Sequence, residues 1–258
     1  MKYYVVDAFA EKLFEGNPAG VCVLDVWLSD EMMQNIAMEN NLSETAFTCK
    51  ENGKYRLRWF TPGGEIDLCG HATLATAFVL ANFVEPNITI FEFETLSGVL
   101  RVERKENMYE MDFPSFEMTS IPVTEAMKEA VGYPIVEAWL GRDLVCVLED
   151  ENYVHAANPD LEKVKTLKGL LLHISAKGSL YDCVTRSYAP KLGVSEDPVC
   201  GSGHCHIAPL WISKLRKDQL VARQASKRGG TLYCKMNKDR ITLCGHAVLY
   251  SIAELFVD

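Results

Sequence analysis

Several features that would direct this 258-residue chain toward common function classes are scarce or missing. It contains no Cys-x-x-Cys pair, which removes the commonest zinc and thioredoxin-like signatures. Basic residues are in deficit, 26 Lys and Arg against 35 Asp and Glu for a formal net charge of -9. Nucleic acid and anionic membrane surfaces both require clustered Lys and Arg, so neither is an expected partner, and a small molecule is. Membrane-spanning runs are also lacking: the longest uncharged stretch, Leu68 to Val84, is too short and includes Gly70, His71, Thr73, Thr76 and Asn82. Lys2 and Asp7 interrupt the N-terminus before the apolar core of a secretory signal can build, so a cytoplasmic location is expected.

What is present reads as an ordinary globular protein, 48% hydrophobic, 10% aromatic and 24% charged. At about 150 residues per domain, the length fits one large domain or two small ones. Cysteine is plentiful, with nine residues, but an odd number scattered through a cytosolic-looking chain does not suggest a disulfide framework. Most are expected to be small core residues.

The chain repeats itself. Two uncharged stretches, Leu68 to Val84 and Pro198 to Ser213, each contain a Cys-Gly near their start, Cys69-Gly70-His71 and Cys200-Gly201-Ser202, about half the chain apart. Upstream of each stands Arg-x-aromatic-x-Pro, Arg58 to Pro62 and Arg186 to Pro190, followed by an acidic pair, Glu65 and Asp67 or Glu196 and Asp197. Downstream, Gly98 to Val102 aligns with Gly230 to Cys234. Four matches in the same order imply internal duplication into halves of similar length. The expected domains are 1–115, with about 246–258 returning to it, and 116–245.

Within each half the pattern is short strands around one helix. Runs of β-branched and aromatic residues at Tyr3–Val6, Val21–Leu24, Tyr55–Phe60, Ile88–Phe93, Val99–Glu103 and Met108–Phe113 are separated by Gly, Pro and Asn. Ile135–Leu140, Leu144–Leu148, Leu170–Ile174, Tyr181–Arg186, Leu232–Lys235 and Arg240–Leu243 repeat them. Ser29–Glu39 and Val123–Val131 read as surface helices, Ser29 capping the first. The helix opening at Gly70 is apolar nearly all round, which marks a buried helix of the kind a curling sheet can enclose.

Both Cys-Gly turns open such helices, and a glycine there leaves backbone N–H groups aimed outward, suited to a carboxylate or a developing oxyanion. Either turn alone could be a tight turn without a ligand; two related by duplication, facing each other across a domain cleft, point to a small anion. Cys69 and Cys200 could be packed turn residues. Alternatively, as thiolates with pKa lowered by the helix N-termini, they could be an acid/base pair of the kind racemisation needs. His71, one residue inside its helix, reads as a neutral hydrogen-bonding or structural histidine because the helix dipole disfavours imidazolium. Asp197 and Ser202 occupy the matching second turn, as reacting partners or as capping groups. Glu44 lies where a helix gives way to a strand, with apolar neighbours that could raise its pKa toward the general acid/base range, or it is a solvated turn residue. Cys200, His204, Cys205 and His206 do not read as a metal site, because Cys205 and His206 diverge on a helix. Cys244-Gly245-His246-Ala247 reads as a packing turn that ends a strand.

Four motifs carry a resemblance: Asn17-Pro18-Ala19-Gly20-Val21, Asn41-Leu42-Ser43-Glu44-Thr45-Ala46-Phe47, Leu68-Cys69-Gly70-His71-Ala72-Thr73 and Glu196-Asp197-Pro198-Val199-Cys200-Gly201-Ser202, with Arg228-Gly229-Gly230 near the end. Together they resemble the PhzF phenazine-biosynthesis-like isomerase family over nearly the whole chain. The resemblance implies an α+β diaminopimelate epimerase-like fold, two pseudo-symmetric domains each wrapping a mixed sheet or barrel around a central helix, with the active site between them. It implies a cofactor-independent isomerase, without metal, in which Glu44 moves a proton between carbons of a small carboxylate-bearing metabolite. His71, Asp197 and Ser202 match the polar partners, Gly70 and Gly201 the turns that hold the substrate carboxylate, and the family implies a homodimer. The family's characterised reaction isomerises a dihydro-hydroxyanthranilate in phenazine synthesis, a substrate that need not be shared. One departure is Cys200, where the family often carries Thr; with Cys69 it recreates the two-cysteine arrangement of epimerases on the same fold. A two-cysteine epimerase or racemase, and a non-catalytic binding protein, are the alternatives.

Overall fold

The computed structural model describes residues 1–257, which form two compact units: Met1–Asp112 together with the stretch from Cys244 onward, and Phe113–Leu243. The first stretch carries β1 (Lys2–Ala8), β2 (Asn17–Leu24), α1 (Asp30–Asn40), β3 (Glu44–Glu51), β4 (Lys54–Thr61), β5 (Gly64–Ile66), α2 (Gly70–Val79), β6 (Ile90–Thr95), β7 (Gly98–Lys105) and β8 (Met108–Pro114). There follow β9 (Thr119–Ile121), α3 (Glu125–Val131), β10 (Ile135–Leu140), β11 (Leu144–Leu148), α4 (Glu151–Ala156), α5 (Leu161–Thr166), β12 (Leu172–Lys177) and β13 (Cys183–Ala189). The chain ends with β14 (Val194–Asp197), α6 (Gly201–Leu215), β15 (Gln219–Gln224), β16 (Gly230–Asn237) and the long β17 (Arg240–Glu254).

In the first unit β1 pairs antiparallel with β2, β2 parallel with β3, β3 antiparallel with β4 and β4 parallel with β6. The antiparallel pairs β6–β7 and β7–β8 continue the ladder, and β17 pairs with both β1 and β8. The eight strands therefore close into a barrel, which leaves no unpaired edge. Helix α2 fills it, packed against β1, β2, β3 and β7, with every residue from His71 to Ala77 buried. A helix so enclosed can keep hydroxyls only if they bond to its own backbone. Thr73 and Thr76 do so, donating to the carbonyls of Cys69 and Ala72 at 2.6 and 2.7 Å.

The second unit repeats this order: β10–β11 antiparallel, β11–β12 parallel, β12–β13 antiparallel, β13–β15 parallel, β15–β16 antiparallel. β14 folds back on β13 as β5 does on β4. The shared motif arginines stabilise those returns alike, Arg58 Nε to Glu65 and Arg186 Nε to Glu196, each at 2.6 Å. Helix α6 packs against β12, β15 and β16. Its interior Pro209 cannot donate to the carbonyl of Cys205, which instead accepts the Phe116 N–H at 3.0 Å.

The α+β class and the helix-filled barrel agree with the sequence reading. Ser29 caps α1 as expected, its Oγ accepting the Met32 N–H at 3.2 Å. The differences are β5, β9, β14, β15, α4 and α5, which the apolar patterns did not flag, and the Cys244–Ala247 segment. That segment does not end a strand but runs through the middle of β17, because Gly245 lets the strand pass against Phe9. Phe9 itself has a left-handed backbone, φ +58°, and a Cβ on Gly245 would lie 2.4 Å from its ring. Gly245→Ala should therefore cost about 1–3 kcal/mol, read as a lower midpoint in urea unfolding; an unchanged midpoint would contradict this packing.

Candidate active site

In the first unit the sequence-predicted residues Glu44, Cys69, Gly70 and His71 converge. Helix α1 stops at Asn41, whose left-handed backbone (φ 50°) turns the chain into β3, and Glu44 is the first residue of that strand. The parallel register pairs Glu44 with Ala19 of β2, at the mouth where α2 begins. Cys69 is the N-cap of α2, in extended conformation, and its side chain makes no capping hydrogen bond among the described residues. His71 Nε2 lies 2.9 Å from Glu44 Oε2, with side-chain exposures of 8% and 16%. Among the described residues neither atom has another partner. On the other edge of the ring, Nδ1 lies 3.5 Å from Cys69 Sγ and 3.4 Å from the Asn17 side-chain amide. The Asn17 amide can present its oxygen or its nitrogen, so it serves His71 in either protonation state.

The electrostatics differ from the sequence expectation at two points. Burial alone would depress the His71 pKa, but the Cys69 sulfur and the Glu44 carboxylate outweigh it and hold the imidazole well above its ordinary value. We attribute that rise to Glu44, since Cys69 is itself held neutral; the expected neutral histidine is corrected because a full opposite charge at contact exceeds the half charge of a helix end. Cys69 and Cys200 are both pushed up, not down, first by burial and then by Glu44 and Asp197 respectively. The lowered thiol pKa values that a thiolate pair requires are therefore absent: removal from water outweighs the helix N-terminus.

In the second unit, Cys200 caps α6, its Sγ accepting the Gly203 N–H at 3.3 Å, and its own N–H donates to Gln224 Oε1 at 2.9 Å. Asp197 shapes the turn into α6 by accepting the Val199 N–H at 3.1 Å. Gly201 opens the helix with unhindered space: a Cβ there would meet nothing within 4 Å. Ser202 Oγ accepts a hydrogen bond from Arg142 at 3.1 Å. Arg142 was not singled out from the sequence and Asn17 only as part of a motif, although Asn17 opens β2 and Arg142 shortly precedes β11, and each reaches the second residue of a helix in its own unit, His71 of α2 and Ser202 of α6. His204 Nδ1 donates to the Cys200 carbonyl at 2.7 Å, and burial brings its pKa down to about 4.

Among the described residues two groups of side chains have ligand atoms close enough together to hold a cation, Glu44–Cys69–His71 and Asp143–His173–His206. In the first, the imidazole stands between the other two donors, an arrangement suited to passing or sharing a proton. In the second, the Asp143 carboxylate already carries the Arg142 guanidinium, at 2.6 Å from Oδ2, where an ion would have to bind. Among the described residues no helix is long and apolar enough to cross a membrane.

The raised His71 pKa sets the sign of a pH effect. Between about 6.5, the unfolded value, and its higher folded value, the folded protein binds more protons than the unfolded chain, so stability falls as pH rises through that window. Denaturation across a pH series should show this decline in the wild type and a flatter profile in Glu44→Gln; equal slopes would contradict the pairing.

A family model described as phenazine biosynthesis-like protein matches residues 6–253. An uncharacterized isomerase of Pseudomonas aeruginosa is 44% identical over 99% of this chain and 98% of its own. The crystal structure of a phenazine biosynthesis protein of the PhzF family from Enterococcus faecalis is 49% identical, covers 99% of both chains and superposes with a TM-score of 0.97. A hydroxyproline epimerase from Agrobacterium vitis, 10% identical with a TM-score of 0.63 over 99% of this chain and 90% of that one, shares the fold alone.

Proposed function

The chain belongs to the phenazine biosynthesis-like protein family, and on that premise we propose that its isomerase chemistry is a proton transfer performed by Glu44. The observation that carries the reading is the contact of Glu44 Oε2 with His71 Nε2 at 2.9 Å, at the start of α2, where neither atom has another partner among the described residues. A carboxylate at that position has one lone pair engaged by imidazolium and a second oxygen available to substrate. In the proposed step Glu44 removes a proton from a carbon of the substrate: the C–H bond breaks, an O–H bond forms on Glu44, and the electron pair moves into the conjugated carboxylate or carbonyl system. Glu44 then returns the proton to a different carbon. No external oxidant or reductant is consumed. His71 orients the carboxylate and offsets its charge as the proton moves.

The substrate is a small carboxylate-bearing metabolite. Its anionic group is assigned to the amides at the helix openings, Gly70 and Gly201, with Ser202 and Asp197 as polar partners. Gly201 supports this because neither backbone strain nor packing demands a glycine there, while close approach of a ligand to the backbone does. A cytoplasmic homodimer completes the proposal, resting on the charge pattern and the family resemblance.

Incubation of small carboxylates in heavy water, read by mass spectrometry, tests the assignment. Wild type should incorporate deuterium at carbon, Glu44→Gln should lose about 10²- to 10⁴-fold in rate, and turnover retained by Glu44→Gln would sink it. Gly201→Ala should leave thermal stability nearly unchanged yet raise KM; a large loss of stability with unchanged KM would show that the glycine serves packing.

A further inference from the structure

The second unit holds a polar cluster that the proton-transfer chemistry does not use. Asp143, fully buried, grips Arg142 along one edge, accepting from Nε at 3.1 Å on Oδ1 and from Nη2 at 2.6 Å on Oδ2. Its Oδ2 also lies 3.1 Å from Nε2 of His173 and 3.7 Å from Nδ1 of His206, both equally buried. His173 is fixed in turn by Ser187 Oγ at 2.9 Å from Nδ1, and Gly203 is obligatory beneath it, since a Cβ there would lie 2.6 Å from the ring. Above the cluster, Phe116 stacks on His206 with centroids 4.3 Å apart and carries the Arg142 guanidinium 4.9 Å from its ring centre.

The fold does not require this assembly. With Arg58 aligned to Arg186, the strand registers place Pro18, Ala19 and Ala46 of the first unit at the positions of Arg142, Asp143 and His173. Aligning Cys69 with Cys200 places Ala75 at His206. The first unit thus builds the same ladder with small apolar residues where the second buries charge. A buried ion pair is a weak source of stability, so its retention needs another explanation.

That explanation lies in where the guanidinium points. Nε and one hydrogen of Nη2 are held by Asp143, another Nη2 hydrogen reaches Ser202 Oγ at 3.1 Å, and Nη1 makes no hydrogen bond among the described residues. The side chain is a third exposed, 33%, at the opening of α6 beside the unhindered Gly201. Asp143 offsets the charge of the fork but occupies only Nε and one hydrogen of Nη2, so Nη1 remains a charged donor beside the opening of α6. Resting on the isomerase reading above, we propose that Arg142 is the charged, specificity-determining contact for a carboxylate of the substrate at Ser202, and that Asp143 and His173 are positioning residues that hold its fork. The ligand class is a planar oxyanion able to take donors from Nη1 and the Ser202 hydroxyl together.

Calorimetric titration of the full chain with benzoate, and with its uncharged analogue benzamide, tests this. Wild type should bind benzoate in clear preference to benzamide, and Arg142→Gln should weaken benzoate about ten- to a hundred-fold, with partial recovery in Arg142→Lys, which restores charge without the fork. Asp143→Asn should weaken benzoate when Arg142 is present and add nothing in the Arg142→Gln background, a coupling that general damage to the fold would not produce. Ser187→Ala, which removes only the second hydrogen bond of His173, is the milder probe of the same positioning. Benzoate affinity unchanged in Arg142→Gln, no preference over benzamide, no benzoate binding by wild type, or additive losses in the double variant would each overturn the proposal. Deuterium exchange in Glu44→Gln and benzoate affinity in Arg142→Gln are separate readouts, so failure of the proton-transfer assignment would be distinguishable from failure of this one.

Discussion

Enclosing a helix removes water as a partner for every polar group on it, and most of the structure follows from how that constraint is met. Along α2 the apolar composition and the back-bonded hydroxyls of Thr73 and Thr76 satisfy it internally. At the first turn it cannot be met that way, because no residue lies upstream to accept those N–H groups. A Cys-Gly opening leaves that end available, and the side chains gathered there, Glu44 and His71, are charged groups with little exposure. The unpaired backbone N–H groups of the helix are thus left at its first turn, a position suited to receiving negative charge.

The two units share a ladder and differ in what they place at that end. In the first, a carboxylate and an imidazole face each other, with Cys69 and Asn17 on the other edge of the ring. In the second, the helix opens on Gly201 and Ser202, backed by an arginine fork locked to a buried carboxylate. Pro209 contributes at a distance by releasing the Cys205 carbonyl to Phe116, which then supports both His206 and Arg142. One scaffold occurs twice, and the two copies differ in the groups they carry: those proposed to move a proton in one, those proposed to hold an anion in the other.

Much of this was legible in the sequence because it rests on local pattern. The paired Arg-x-aromatic motifs, their acidic partners and the two Cys-Gly openings report a repeated strand–turn–helix unit, and the all-apolar composition after Gly70 reports its burial. What escaped depends on three-dimensional environment. Arg142-Asp143 looks like any charged turn, and His173 sits inside an apolar run, so nothing local marks them as partners of Ser202 and His206. The thiolate alternative for Cys69 and Cys200 and the neutral imidazole of His71 rest on the helix dipole alone. Burial and the Glu44 carboxylate, both invisible in one dimension, reverse those readings. β15, with its alternating but polar-rich Gln219–Gln224 sequence, owes its strand character to pairing with β13 and β16.

The account stands or falls on the charge state of one contact. If Glu44 and His71 form the reactive pair, the ring must carry both of its protons while the carboxylate carries none. Neutron diffraction from deuterated crystals near neutral pD locates those nuclei directly. The account predicts deuterium on Nδ1 and Nε2 of His71 and none on Glu44; a singly deuterated ring facing a deuterated Glu44 carboxyl would contradict it.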